Sequence, residues 1–204
     1  MLIDGPKGAT RTLVLAHGAG GPMDSPFMNH LAQSVAQLDV RVVRFEFPYM
    51  NLRREDGKHR PPDREAVLLA AWREVVTELG DASRLVIGGK SLGGRIASMI
   101  ADETGVRGLV CLGYPFHPPG KPDHPRIAHL QRLSTPTLIV QGTRDPFGRR
   151  EEVIDYQLSQ RIRFAWIEDG DHSFKPRARS GRTETQNLQE AASIVGDFMN
   201  ELFN

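Results

Sequence analysis

Six short apolar runs recur along the chain, most of them followed by a segment with helical spacing, and this alternation limits the architecture more than any other feature. The runs are "TLVLAH", "VRVVRFEF", "RLVIGG", "RGLVCLG", "TPTLIVQG" and "IRFAWIE". Each is rich in Val, Ile, Leu or Phe without strict polar alternation, as expected of strands buried on both faces. Between and after them, "SPFMNHLAQSVAQL", "DREAVLLAAWREVVTEL", "SLGGRIASMIADE" and "NLQEAASIVGDFMNELF" read as helices. In the second, Val67, Leu68, Ala71, Trp72, Val75 and Leu79 share a face for the core, leaving Glu65, Arg73, Glu74 and Glu78 to water. Repeated β-then-α order predicts an α/β fold: a mostly parallel sheet of about six strands with helices on both faces. Ligands of such sheets bind beyond the strands' carboxyl ends, where strand order reverses. The charged stretch "LRREDGKHRPPDR" reads as an exposed loop, and residues 1–204 as a single domain.

Twenty-six basic residues oppose 25 acidic ones, a net charge of +1. So balanced a surface favours neither nucleic acid nor an anionic membrane as partner. The start "MLIDGPKGATR" lacks the pattern of a secretory signal, and no apolar run approaches the ~20 residues that span a bilayer. A soluble cytoplasmic protein is expected. The one cysteine, Cys111, lies within an apolar run and reads as a buried, inert thiol.

Within "VIGGKSLGGR", Gly89-Lys90-Ser91-Leu92-Gly93 matches G-x-S-x-G between a predicted strand and a predicted helix. There a serine is held on a sharp strand-to-helix turn, and flanking glycines remove side chains that would collide where strand and helix meet. A serine hydroxyl is a poor nucleophile at neutral pH and needs a base, itself oriented by an acid. Asp145 follows an apolar strand in "LIVQGTRDPFG", and His172 follows the next in "AWIEDGDHSF". All three would share one edge of the sheet. Asp169 and Asp171 compete for the acid's role, but stand so close to His172 in sequence that they read as turn residues. A developing oxyanion needs oriented donors, which the Leu92 amide at a helix start and the Ala19 amide in "AHGAGGPMDS" can supply, with Gly20 next to it.

These segments together resemble the α/β-hydrolase superfamily, in particular its small dienelactone hydrolase-like members without a separate lid. The resemblance runs from "LAHGAGG" through "GGKSLGGR" and "QGTRDPFG" to "GDHSF". Two further segments, "GYPFHPPGKP" and "RFEFPY", look like those of hydrolase-like proteins related to testis-expressed protein 30 and regulatory NSL complex subunit 3. The resemblance implies a minimal α/β-hydrolase fold without a cap, a catalytic triad of Ser91, Asp145 and His172, and an oxyanion hole of Leu92 and Ala19. Dienelactone hydrolases proper carry cysteine at the nucleophile position, whereas this chain has serine.

Only about twenty residues separate "GLVCLGY" from "TPTLIV", too few for a helical cap domain. That stretch has room for a proline-stiffened rim and a short helix, placing Tyr114, Phe116 and His117 as candidate substrate contacts beside Gly20 and Lys90. His117, His124 and His129 lack the paired spacing of a zinc site, so no metal or other cofactor is expected. Lys90, Arg53, Arg54, Lys58, Arg60, Arg95, Lys121, Arg126 and Arg144 form either a cationic mouth for anionic substrates or ordinary solvated loop charges. The expected activity is hydrolysis of a small-molecule carboxylic ester or thioester through an acyl-enzyme, with transfer to another acceptor as a variant of the same chemistry. The contrasting expectation is a non-catalytic protein-interaction module on the same fold. Both monomer and homodimer are compatible with the sequence.

Overall fold

The computed structural model describes all 204 residues, Met1–Asn204. Its strands are β1 (Leu2–Asp4), β2 (Thr12–Ala16), β3 (Arg41–Phe45), β4 (Leu85–Lys90), β5 (Gly108–Leu112), β6 (Thr137–Gly142) and β7 (Ile162–Ile167). The helices are α1 (Pro26–Ala36), α2 (Pro48–Asp56), α3 (Glu65–Leu79), α4 (Leu92–Thr104), α5 (Arg150–Val153) and α6 (Glu184–Phe203). All six strands expected from the apolar runs form, in the sheet order β1-β3-β2-β4-β5-β6-β7. Every neighbouring pair is parallel except β1 with β3. The seventh strand, β1, is three residues at the sheet edge, too short to leave a periodic signal.

Both faces of the sheet are covered, which explains the lack of alternation. Along β2, Leu13 and Leu15 enter one apolar cluster with residues of α1 and α6, while Val14 and Ala16 enter the other with residues of α3 and α4. In β5 the same split separates Val110 and Leu112 from Leu109 and Cys111. The central strands β2 and β5 are therefore buried along their whole length.

Helix α3 differs from its expected face in detail. Leu68, Ala71, Trp72 and Val75 are buried as expected, but Val76 joins them and Val67 is 42% exposed. The face is set by Trp72, whose ring meets Phe45 edge-on at 4.7 Å. Residues 52–56, expected in a loop, belong to α2. Pro48 starts that helix and Gly57 ends it at φ 70°, its amide donating to the Arg53 carbonyl at 2.9 Å. Those are ordinary helix punctuation, and the charges between them mark its solvent side. Conversely, residues 113–136 contain turns but no helix, so the short helix expected there does not form. No helical cap stands over the sheet, and no helix is long and apolar enough to cross a membrane.

After β2 the chain moves outward to β3, then returns to the other side of β2 as β4. Strand order thus reverses between β2 and β4, whose pairing ends at Ala16 with Gly89. A crevice at the carboxyl ends of these two strands is the expected ligand position.

Candidate active site

Ser91 lies at that reversal point. It leaves β4 with φ 49° and ψ −112°, a conformation rarely adopted by a residue with a side chain, and α4 begins at the next residue. Surrounding bonds hold the strain: the Ser91 amide donates to Leu112 O at 2.9 Å, and the Arg95 amide to Ser91 O at 3.0 Å. The glycines are required by close backbone approach. A Cβ on Gly89 would sit 2.2 Å from Ala16 O, and one on Gly93 would sit 2.4 Å from the same oxygen.

Asp145 is fully buried in a turn after β6. One carboxylate oxygen accepts from His172 Nδ1 at 2.8 Å and from Gln141 Nε2 at 3.0 Å, and the other accepts from the Phe147 amide at 2.9 Å. With the carboxylate accepting, Nδ1 carries the imidazole proton and Nε2 is left as the basic nitrogen. Asp171 instead accepts from the amides of Ser173 and Lys175, and Asp169 is engaged by Arg144 and Arg177. Both rival acids are thus turn or ion-pair residues, and Asp145 alone orients His172.

Ser91 and His172 line one cavity of about 430 Å³. Its other walls are residues 18–21 and Ser25 after β2, Pro26, Phe27 and Met28 at the start of α1, Lys90 at the end of β4, Phe147 after β6 and Ser173. No hydrogen bond joins Ser91 to His172 in this structure; in such sites that contact commonly tightens only in the substrate complex. Lys90 is 8% exposed, and its ammonium donates to His172 O at 2.5 Å. Burial lowers its pKa to about 8.

The loop after β2 is fixed from below by two residues to which the sequence reading gave no role. His17 is fully buried, and burial lowers its pKa. Its Nε2 accepts from the Phe47 amide at 3.1 Å, so its Nδ1 carries the proton and donates to Gly18 O at 2.7 Å. The Tyr49 hydroxyl, held protonated by burial, donates to Ala19 O at 3.1 Å. No peptide bond in the chain is cis, and in a trans peptide the carbonyl and amide point in opposite directions. Holding the Gly18 and Ala19 carbonyls against His17 and Tyr49 therefore turns the Ala19 and Gly20 amides away from those two side chains, in a loop that lines the cavity. The Ala19 amide donates to no group of the chain. Leu92 opens α4, where first-turn amides have no partner within the helix.

Gly20 and Lys90 line the cavity as expected, but Tyr114, Phe116 and His117 do not reach it. Tyr114 and Phe116 pack together at 4.8 Å in the core, and the Tyr114 hydroxyl donates to Arg126 O at 3.0 Å. His117 bridges Pro118 O and Glu152. These aromatic groups are drawn inward by a sheet face that needs covering, with Phe164 and Tyr156 alongside. His129 meets Ser98 at 2.8 Å, and no group of three or more His, Cys, Asp or Glu is placed to hold a metal. Of the two readings of the basic residues, the ion pairs favour solvated loop charges over a cationic mouth. Arg54 pairs with Glu46 and Asp24, Arg60 with Asp56, Arg95 with Glu65 and Arg144 with Asp169, and of the nine basic residues only Lys90 lines the cavity.

Comparison with solved structures finds the same fold repeatedly. An alpha-beta serine hydrolase homologue from Coxiella burnetii is 24% identical, with 94% of this chain and 88% of that one covered at a TM-score of 0.69. Dienelactone hydrolase from Anabaena variabilis is 22% identical, with 98% and 89% covered at 0.72. An a/b serine hydrolase without lid from Xanthomonas campestris is 20% identical, with 93% and 84% covered at 0.66. Residues 9–200 match the family model described as alpha/beta hydrolase domain. With that match spanning nearly its whole length, the chain belongs to the alpha/beta hydrolase family.

Proposed function

We propose that the protein is a serine hydrolase that cleaves a carboxylic ester or thioester through an acyl-enzyme. The observation that carries this reading is the 2.8 Å contact between a buried Asp145 and Nδ1 of His172, which lines the same cavity as the strained Ser91. Family membership supports hydrolysis as the class of reaction.

In this reading Ser91 Oγ attacks the substrate carbonyl carbon while its proton passes to His172 Nε2, and the carbonyl electron pair moves onto oxygen. The amides of Leu92 and Ala19 stabilise that oxyanion, each worth on the order of 3 kcal/mol in comparable sites. Collapse expels the alkoxide or thiolate, which takes the proton from His172 and leaves as alcohol or thiol. Water then attacks the acyl-enzyme, giving one proton to His172, which returns it to Ser91 as the acid departs. Asp145 holds the tautomer and stabilises the transient imidazolium.

A fluorophosphonate probe tests the reading. It should label Ser91 in the wild type and fail on Ser91→Ala, whose turnover of p-nitrophenyl esters should fall by on the order of 10⁴-fold or more. Undiminished hydrolysis by Ser91→Ala, or an unreactive wild type, would leave the non-catalytic interaction module as the better description.

A further inference from the structure

We propose that Lys90 forms an anion subsite in the cavity, so that the substrate carries a free carboxylate in addition to the ester or thioester that Ser91 attacks. This rests on the serine hydrolase reading above and adds the substrate class to it.

Among the residues lining the cavity, only Lys90 and His172 are ionisable, and none is a carboxylate. The Lys90 ammonium has three donors, yet its one hydrogen bond within the chain goes to His172 O, and it forms no ion pair. The two carboxylates close enough to act on it electrostatically are Asp145 and Asp171, and both have other hydrogen-bond donors. Instead of an acid, the ammonium has the Phe27 ring, 5.4 Å from its centroid. A buried cation with two unused donors gains most from an anion brought to it.

A second, independent feature has the same sign. Phe27 and Met28, in the first turn of α1, line this cavity, and that eleven-residue helix has no acidic residue in its first turn and no side-chain hydrogen bond at its cap. The carboxylate nearest that end, Asp24 just before the cap, is paired with Arg54, so the helix's positive end adds to the same sign at the cavity. One ammonium balances one charge, which matches a carboxylate and would leave a phosphate dianion half neutralised. Apolar surface from Pro26, Phe27, Met28 and Phe147 suits the methylenes between the two ends of such a molecule.

Monoethyl adipate and ethyl hexanoate differ only by a terminal carboxylate in place of a methyl group, so their kcat/KM ratio reads the subsite. At pH 7 the ratio should favour the anionic ester by about tenfold or more in the wild type, and fall to about one in Lys90→Met and Lys90→Gln. The glutamine variant keeps a donor for His172 O without the charge. Any general loss of activity through His172 affects both esters and cancels in the ratio. The wild-type preference should also decline as pH rises through about 8, because Lys90 loses its charge there. A ratio near one in the wild type, or one unchanged in both variants, overturns the proposal, and if Ser91 is still labelled the hydrolase reading stands without it. Should neither ester be cleaved and Ser91 stay unlabelled, the hydrolase reading fails, and calorimetry decides the subsite alone. Adipate binding that is absent with 1,6-hexanediol and lost in Lys90→Gln supports it, and no adipate binding refutes it. Stronger competition by hexyl phosphate than by hexanoate would overturn the choice of carboxylate.

Discussion

Asp145 and His17 both act through a neighbouring group, and the two effects can be separated by measurement. Asp145→Asn keeps the shape of the buried turn but puts an amide where the His172 Nδ1 proton must be accepted, favouring the wrong tautomer. A fall in kcat on the order of 10³–10⁴-fold is expected, with KM nearly unchanged, in steady-state kinetics on a p-nitrophenyl ester. His17→Phe leaves Ser91, Asp145 and His172 in place but removes the ring's hydrogen bond to the Gly18 carbonyl, leaving it only the Tyr49 hydroxyl at 3.5 Å and loosening the Ala19 amide. Here kcat should fall by about 10–10³-fold, toward the loss of one oxyanion donor, while fluorophosphonate still labels Ser91, more slowly. At this scale the placement of residues was legible from local pattern: Ser91 in its glycine-flanked turn, Asp145 and His172 after successive strands. It was not legible for Tyr114, Phe116 and His117, because an aromatic residue after a strand suits a cavity wall as well as a core. Phe27 and Phe147 carried no signal of their own beyond standing near the glycine loop and Asp145.

At the scale of elements, Gly93 shows how strand and helix constrain each other. In a helix interior, Gly→Ala ordinarily stabilises by about 1 kcal/mol. In α4 the new Cβ would lie 2.4 Å from Ala16 O and 2.8 Å from His17 O, both backbone atoms of the neighbouring strand end. Gly93→Ala should therefore destabilise by about 1–3 kcal/mol, read as a lower urea midpoint with an unchanged slope. The six longer strands and four main helices were readable because a two-sided core imprints its apolar demand along each one. Helix α2 was missed because "LRRED" carries the charge of a solvated face, and β1 because three residues cannot show a period. The α3 face was rotated slightly by one bulky contact, Trp72 on Phe45, which no periodicity encodes.

For the molecule as a whole, Lys90 links stability to pH in a direction opposite to its proposed use. Its folded pKa, about 8, lies below the ordinary 10.5, so between these values the unfolded chain binds more protons and stability rises with pH. Below about 8 both states are protonated and the burial penalty is constant. Lys90→Met should thus be more stable than the wild type at pH 7, by up to about 3 kcal/mol, with the difference shrinking toward pH 10 in urea titrations at several pH values. The overall architecture was legible from the order of elements alone, whereas the strand reversal between β2 and β4 had to be seen in three dimensions.

That reversal also bears on how the protein matures. Ser91, Asp145, His172 and the glycine loop follow four different strands, and each strand is positioned by its neighbours in the sheet. No fragment ending before β7 contains His172, and none lacking β2 contains the glycine loop. On the proposed hydrolase reading, reactivity toward an acylating reagent is therefore a late property of the folding chain, acquired together with the completed sheet, and a nascent polypeptide still on the ribosome would be chemically silent until its last strand and the loop after it had been laid down.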